Sequence, residues 1–426
     1  MDEQLEMLDK AFLVGVNIND DPDFERSMRE LAELAKACQM EVVGRAEQNL
    51  PSIHQGFYVG TGKVDEIKAA ASMVGANIVV FDNSLTPSQL RNLQDRIELT
   101  IMDRTNLILE IFSKRARTKE AKMQVEVASL QYALPRLIGM GQVLSRQGGS
   151  SGGMSNKGAG EKKLELDRRR INHRITELNR ELKEVETERS TQRKQRQSSG
   201  IPLVALVGYT NAGKSTLLNL MVDQYVKEES RKVMAKDMLF ATLDTTVRKI
   251  TPQGRQPFLM SDTVGFISNL PHHLVKAFRS TLEEVKYADL ILHVVDYSDE
   301  EYQEQMKVTK ETLKDLGADH IPSITVFNKA DRVVSDLPVM LKDKIYMSAK
   351  EGIGTEELVQ MIYDKVFEDH VHCTMLIPYD KGSLVSYFQQ EGMTRSVSYE
   401  ENGTKVELQC PVKDFEKYKE YVVLSE

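Results

Sequence analysis

Tryptophan is absent from the 426 residues, and cysteine occurs only three times. Cys38, Cys373 and Cys410 are isolated and odd in number, which excludes a disulfide framework, gives no metal-ligand spacing and suits a reducing compartment. The eight histidines form no His-x-x-x-His pair, and His272-His273 reads as a loop pair, so no transition-metal centre is expected. No apolar run approaches the roughly 18 residues of a membrane span. The acidic start Met1-Asp2-Glu3 is unlike a signal peptide, so a cytoplasmic protein is expected. A net charge of −8 excludes a uniformly basic nucleic-acid binder.

What is present begins with residues 208 to 216, Gly-Tyr-Thr-Asn-Ala-Gly-Lys-Ser-Thr, a complete GxxxxGK[ST] phosphate loop. It stands between an apolar run, Ile201 to Val207, and a helix-like run, Leu217 to Val222. Gly208 and Gly213 let the backbone N–H groups of Tyr209, Thr210, Asn211 and Ala212 close around phosphates. Lys214 reaches the outer phosphates, and the Ser215 hydroxyl, followed by Thr216, takes a place on Mg²⁺. The strand-loop-helix setting aims a helix N-terminus at the anion.

Three further segments follow in the order a GTPase requires: Asp262-Thr263-Val264-Gly265, Asn328-Lys329-Ala330-Asp331 and Ser348-Ala349-Lys350. Each comes after a β-like run, Pro257 to Met260, Ser323 to Phe327 and Lys344 to Met347. Asp262 is expected to hold Mg²⁺ through water, and the Gly265 amide to meet the γ-phosphate. The Asp331 carboxylate can accept from N1–H and the 2-amino group of guanine, whereas adenine offers no such donor pair. Between these motifs lies Phe240-Ala241-Thr242-Leu243-Asp244, followed by Thr245-Thr246. A second hydroxyl for Mg²⁺ is needed there, and Thr242 is the expected donor, with Thr245 and Thr246 as rivals. Phe266 stands where many GTPases place a water-orienting glutamine, so no catalytic side chain is assigned. Hydrolysis is therefore expected to be slow alone and completed by a partner. The residue also suits a core aromatic beside the strand.

Length allows about three folded modules. Residues 1–110 alternate short strands and helices, the pattern of an α/β domain with a parallel sheet. Within them Gly60-Thr61-Gly62-Lys63 imitates a phosphate loop. Phe57 and Val64 break the spacing, so a glycine turn before a helix is the better reading. Residues 111–198 change period: Met123, Val127, Leu130, Leu134 and Leu137 are spaced 4-3-4-3, as are Ile171, Ile175, Leu178, Leu182 and Val185. Such seams zip two helices into an antiparallel arm. Pro135 is expected to kink or stop the first helix, and Gly139 to Gly160, with eight glycines, to form a mobile basic tip. From Ser113 to Arg170, thirteen Lys and Arg oppose five acids, a local excess of eight positive charges. Residues 199–369 hold the nucleotide motifs in one multidomain α/β chain. Residues 370–426 read as a small α+β domain with a hairpin at Asn402-Gly403.

The order of modules resembles the HflX family of ribosome-associated GTPases over nearly the full length. The likeness rests on Val79 to Asn83 with Pro87 to Leu93, Asp103-Arg104-Thr105, Leu130 to Leu137, Leu144 to Gly149 and Leu164 to Arg170. In the nucleotide module it rests on Gly208 to Thr216, Phe240 to Asp244 and Asp262 to Ile267. The resemblance implies binding to the large ribosomal subunit and its RNA, and a monomer is expected. It also implies GTP-dependent splitting of stalled ribosomes under stress and hydrolysis stimulated by the ribosome. Two departures stand out: Lys157-Gly158-Ala159-Gly160-Glu161 where the family has Arg-Gly-Pro-Gly-Glu, and Thr245 where it commonly has proline. Lysine is a poorer planar phosphate fork than arginine. A member specialised for another ribosomal state is one reading of these changes. The other functional class left open is a GTP-switched regulator whose arm meets proteins rather than RNA.

Overall fold

The computed structural model describes residues 8–147, 154–198, 200–226, 246–253, 255–267, 284–390 and 393–425. The described residues pack as two compact units, one ending at Glu186 and the other beginning at Thr187.

In the first unit, β1 (Asp9–Ile18), β2 (Met40–Leu50), β3 (Ile78–Phe81) and β4 (Thr100–Asp103) form a fully parallel sheet in the order β2-β1-β3-β4. Between them run α1 (Phe24–Ala37), α2 (Thr61–Met73) and α3 (Pro87–Ile97). Sequence periodicity locates every one of these elements, because a parallel sheet covered by crossover helices needs unbroken apolar strands. Ile78 to Phe81 are buried without exception. The α1 helix lays Met28, Leu31, Leu34 and Ala35 on the sheet. Thr86 and Gln89 close a reciprocal capping box ahead of α3, with Pro87 in its first turn. Gly60 is the N-cap of α2 in an extended conformation, and its N–H donates to Gln48 Oε1 at 2.9 Å. The imitation phosphate loop is thus an ordinary helix start.

Charge is buried at the carboxyl edge of this sheet. Arg104 opens α4 (Arg104–Arg115), and its guanidinium donates to Asp82 Oδ1 at 2.7 Å and to Glu30. Its side chain is only 3% exposed. The neighbouring Asp103 carboxylate is fully buried. It accepts from Leu85 N–H at 2.9 Å, Asn106 N–H at 2.8 Å, Tyr132 Oη at 2.6 Å and Arg136 Nη2 at 3.0 Å. Burial and the Asp103 charge push the Tyr132 phenol up, so it remains a donor.

Tyr132 and Arg136 lie on α5 (Lys119–Gln147), which pairs with α6 (Met154–Ser198). The expected seam is real: Met123, Val127 and Leu178 are buried together, with Leu130, Leu182 and Val185 against them. Arg174 adds a two-pronged contact to Glu126 at 2.7 and 3.1 Å. Two expectations fail. Pro135 does not stop α5, the half of that expectation the structure tests, because Tyr132 and Arg136, four apart and flanking it, are both tied to Asp103. Meeting one carboxylate from those two positions requires helical spacing, which offsets the hydrogen bond that proline removes. The glycine-rich stretch is also largely helical: residues 139–147 end α5, residues 154–160 begin α6, and 148–153 lie outside the described residues.

The second unit carries a seven-stranded sheet in the order β10-β11-β9-β8-β5-β7-β6. Its strands are β5 (Leu203–Val207), β6 (Thr246–Ile250), β7 (Phe258–Asp262), β8 (Leu290–Asp296), β9 (Ser323–Asn328), β10 (Val339–Leu341) and β11 (Lys344–Tyr346). The centre is parallel, and the two edge strands are antiparallel to their neighbours. α7 (Lys214–Tyr225), α8 (Tyr302–Leu316) and α9 (Thr355–Val366) complete it. A second, antiparallel sheet has the order β13-β14-β12-β15, from β12 (His370–Ile377), β13 (Thr394–Glu400), β14 (Gly403–Pro411) and β15 (Val422–Ser425). The hairpin forms one residue earlier than its signal: Glu400 pairs with Gly403, so Glu401-Asn402 is the loop. Gly403 has φ of +156°, and a Cβ there would lie 2.4 Å from the Ile377 carbonyl oxygen.

Substituting Arg104→Met leaves Glu30 and Asp82 buried without their shared cation. The expected cost is about 3–5 kcal/mol of stability, seen as a lowered midpoint in urea unfolding of the full chain. An unchanged midpoint would show that the carboxylates find other partners.

Candidate nucleotide site

Where β5 ends, Gly208 takes φ of +149°, and a Cβ on it would come within 2.1 Å of the Val294 carbonyl oxygen on β8. Only glycine fits this crossing of strand and loop. The loop passes through Asn211 at φ of +61° and turns into α7 at Gly213, where φ is +95°. Lys214 folds back under the loop, and its ammonium donates to the carbonyls of Gly208 at 3.0 Å and Tyr209 at 2.8 Å. Burial lowers its pKa to about 8, opposed by the Asp262 charge. The loop therefore holds a desolvated cation at the amino-terminal end of a helix.

Asp262, at the end of β7, is fully buried and accepts from the Ser215 hydroxyl at 2.6 Å. The Thr263 hydroxyl donates to the Leu206 carbonyl at 2.7 Å, which keeps the chain against β5 as it leaves the strand. Gly265 follows so closely that a Cβ would lie 2.8 Å from Thr210 Cα and 2.9 Å from Lys214 Nζ. Phe266 then pairs with the phosphate loop as a short parallel bridge to Tyr209. Thr210 N–H donates to its carbonyl at 2.8 Å, and its own N–H donates to Gly208 O at 3.1 Å. Its ring and Val264 are buried. A fixed main chain and a buried ring give this position a packing role and no group able to orient water.

The Asn328 carboxamide joins three loops. It donates to the Ala212 carbonyl at 2.9 Å and accepts from Ala349 N–H at 2.9 Å. Gly213 lies against it so tightly that a Cβ would sit 2.1 Å from Asn328 Nδ2. Lys329 has φ of +57° and pairs through Nζ with Asp296 Oδ2 at 2.7 Å. Ala330 is buried, and its N–H donates to Met347 O at 3.1 Å. Asp331 and Lys350 are exposed, whereas Ser348 and Ala349 are buried. Asp331 is thus presented on a turn fixed by buried neighbours.

The structure brings together the segments 208–216, 262–265, 328–331 and 348–350, which sequence motifs single out one by one. Phe240, Ala241, Thr242, Leu243, Asp244 and the rival Thr245 lie outside the described residues, and Thr246 begins β6. No group of three or more His, Cys, Asp or Glu able to hold a metal exists among the described residues. A cavity of about 290 Å³ bounded by Ile201, Pro202, Leu259, Phe367 and His370 lies at the opposite end of β5 from the phosphate loop. Motif reading missed Asp296 and the aromatic group of Tyr297, Tyr302, Phe327 and Tyr346 packed beside the 328–331 turn. Their only sequence signal is an aspartate-tyrosine pair closing an apolar strand.

Comparison with known proteins agrees with this organisation. Residues 25–113 match the family model described as GTP-binding GTPase N-terminal, residues 115–196 match GTP-binding GTPase Middle Region, and residues 203–329 match 50S ribosome-binding GTPase. The chain is 44% identical over 411 residues to GTPase HflX of Caldanaerobacter subterraneus subsp. tengcongensis, covering 95% of this chain and 93% of that protein. It is 36% identical to GTPase HflX of Escherichia coli strain K12, covering 96% and 95%. Among solved structures, that of the SsGBP and GDP complex aligns with a TM-score of 0.47 at 24% identity, over 85% of this chain and 99% of that one. No helix among the described residues is long and apolar enough to cross a membrane. The chain belongs to the HflX family of GTPases.

Proposed function

We propose that the chain binds the large ribosomal subunit and uses GTP binding and hydrolysis to split or rescue stalled ribosomes. The observation that carries this reading is that the chain has both converging nucleotide motifs and a helical arm whose Arg168, Arg169 and Arg170 are all exposed, at 52%, 73% and 80% of their side-chain surface. Phosphate-rich RNA suits such a surface. The matched model described as 50S ribosome-binding GTPase supports the same partner.

At the nucleotide, Asp331 accepts from the guanine edge, and the loop from Gly208 to Thr216 cradles the phosphates. The fit for Mg²⁺ is good. Ser215 Oγ and Asp262 Oδ2 stand 2.6 Å apart as hard oxygen donors beside the Lys214 cation. Ser215 and Thr242 would ligate the ion directly and Asp262 through water, and the ion would supply positive charge against the charge that develops on the phosphates. The chain's own residues do the rest: Lys214 stabilises the outer phosphates, and the Gly265 N–H reads the γ-phosphate. Because Phe266 offers no polar group, orientation of the attacking water is left to a partner.

Three measurements test this. Binding a triphosphate raises the Lys214 pKa above its free value of about 8, since the anion favours the ammonium. Nucleotide binding near pH 8 should therefore take up about half a proton, read by calorimetry in buffers of different ionisation heat. The uptake should vanish by pH 6, and affinity should fall as pH rises from 8 to 9. Zero uptake at pH 8 would refute the buried-cation account. Asp331→Asn should weaken GDP by about 100-fold or more and favour xanthosine diphosphate, whose 2-oxo group accepts from the new amide. Equal weakening of both nucleotides would remove Asp331 from base recognition.

Finally, co-sedimentation and GTP turnover with purified large subunits should show binding and stimulation. Affinity should fall steeply with salt, and Arg168, Arg169 and Arg170→Ala should flatten that dependence by roughly one unit of log–log slope for each phosphate no longer neutralised. Neither binding nor stimulation would overturn the ribosome reading. Binding indifferent to salt would turn it toward a protein partner.

A further inference from the structure

β8 ends at Asp296, and Tyr297-Ser298 follow it, in a segment outside every nucleotide motif. Four observations gather on it. Asp296 Oδ2 accepts from Lys329 Nζ at 2.7 Å, and both side chains are less than one-fifth exposed. The other oxygen, Oδ1, accepts from Ser298 N–H at 3.1 Å and the Ser298 hydroxyl at 2.6 Å, so the carboxylate is held from two sides. Tyr297 N–H donates to Asn328 O at 2.9 Å. Its ring packs edge-on against Phe327 at 5.4 Å and Tyr346 at 5.0 Å, the residues just before the 328–331 and 348–350 motifs.

Lys329 explains why such support is needed. With φ of +57° it occupies the left-handed region that residues bearing a side chain rarely adopt. It is also the residue between Asn328, which ties the turn to the phosphate loop, and the Ala330-Asp331 pair that presents the exposed carboxylate. An unpaired lysine here would be a flexible four-carbon chain free to seek phosphate or Asp331 itself. Either alternative removes the Asp331 charge from the base or shifts the turn. The ion pair to Asp296 fixes the ammonium on the β8 side, which removes both alternatives.

We infer that Asp296, acting through Lys329 and braced by Ser298, is a positioning residue that sets affinity and selectivity for the guanine base. It touches no reacting atom. The inference rests on the guanine reading of Asp331 and deepens it.

The test uses the full chain and four purified diphosphates: GDP, inosine diphosphate, xanthosine diphosphate and ADP. Asp296→Asn keeps shape and removes the charge. It should weaken GDP about tenfold while ADP remains as weak as before, and should shrink the preference for GDP over inosine diphosphate, which lacks the 2-amino donor. Asp296→Glu should restore part of that preference, and Ser298→Ala should lose about two- to threefold. In a Lys329→Met background, Asp296→Asn should change nothing further, because the two act as one unit. Apo melting temperatures measured in parallel separate positioning from unfolding. A stable Asp296→Asn variant with unaltered GDP affinity and selectivity would overturn the inference. So would losses that add in full to those of Lys329→Met. A wild-type chain with no preference for GDP over ADP would instead overturn the guanine reading, and this inference with it.

Discussion

The Asn328 carboxamide is the point on which the nucleotide site depends. Its donor and acceptor are both spent inside the protein, on Ala212 O and Ala349 N–H. One planar group therefore sets the distance between the phosphate-loop segment and the 328–331 and 348–350 loops. Gly213 has no Cβ because this amide occupies the space. A buried amide satisfied at both ends is stiff, since moving either loop alone would strand a polar group in the core. The phosphate and base halves thus behave as one body, anchored to the carboxyl ends of β5 and β9.

Much of this could be read from residue order. The spacing of Gly208, Gly213, Lys214 and Ser215, and the later Asp262, Asn328 and Asp331, carries its chemistry in side-chain type, so a linear pattern suffices. Alternating apolar runs located the parallel strands of both units for the same reason: burial on two faces leaves a mark of period and composition. What escaped were effects that depend on a distant partner. Pro135 reads as a helix breaker until Tyr132 and Arg136 are seen to share Asp103, three residues that periodicity cannot associate. The glycines from 139 onward read as loop because local propensity favours it, yet seams zipped elsewhere carry both helices onward. Asp296 carried only a faint signal, an aspartate closing an apolar strand, because its meaning lies in the lysine it meets just past the neighbouring strand's end.

The two units use buried charge in opposite ways. In the first, Arg104, Glu30, Asp82 and Asp103 are paired so completely that they act as structure, fixing where helices leave the sheet. In the second, Lys214 is buried beside backbone carbonyls with Asp262 acting on it through its charge, and burial lowers its pKa. A cation kept in such surroundings gains most from an incoming anion. That contrast separates scaffold from site without reference to any motif.

The passage of α5 through Pro135 has a mechanical meaning. Tyr132 and Arg136 grip the sheet edge at one carboxylate, and the helix continues from Arg136 to Gln147, a reach of roughly 16 Å at 1.5 Å per residue. A rod clamped near its middle is a lever with a fulcrum. Load applied at the far end arrives at Asp103, whose other two bonds hold the Leu85 amide and the first turn of α4. Force on α5 beyond Arg136 would then be delivered to the backbone of the sheet's carboxyl edge.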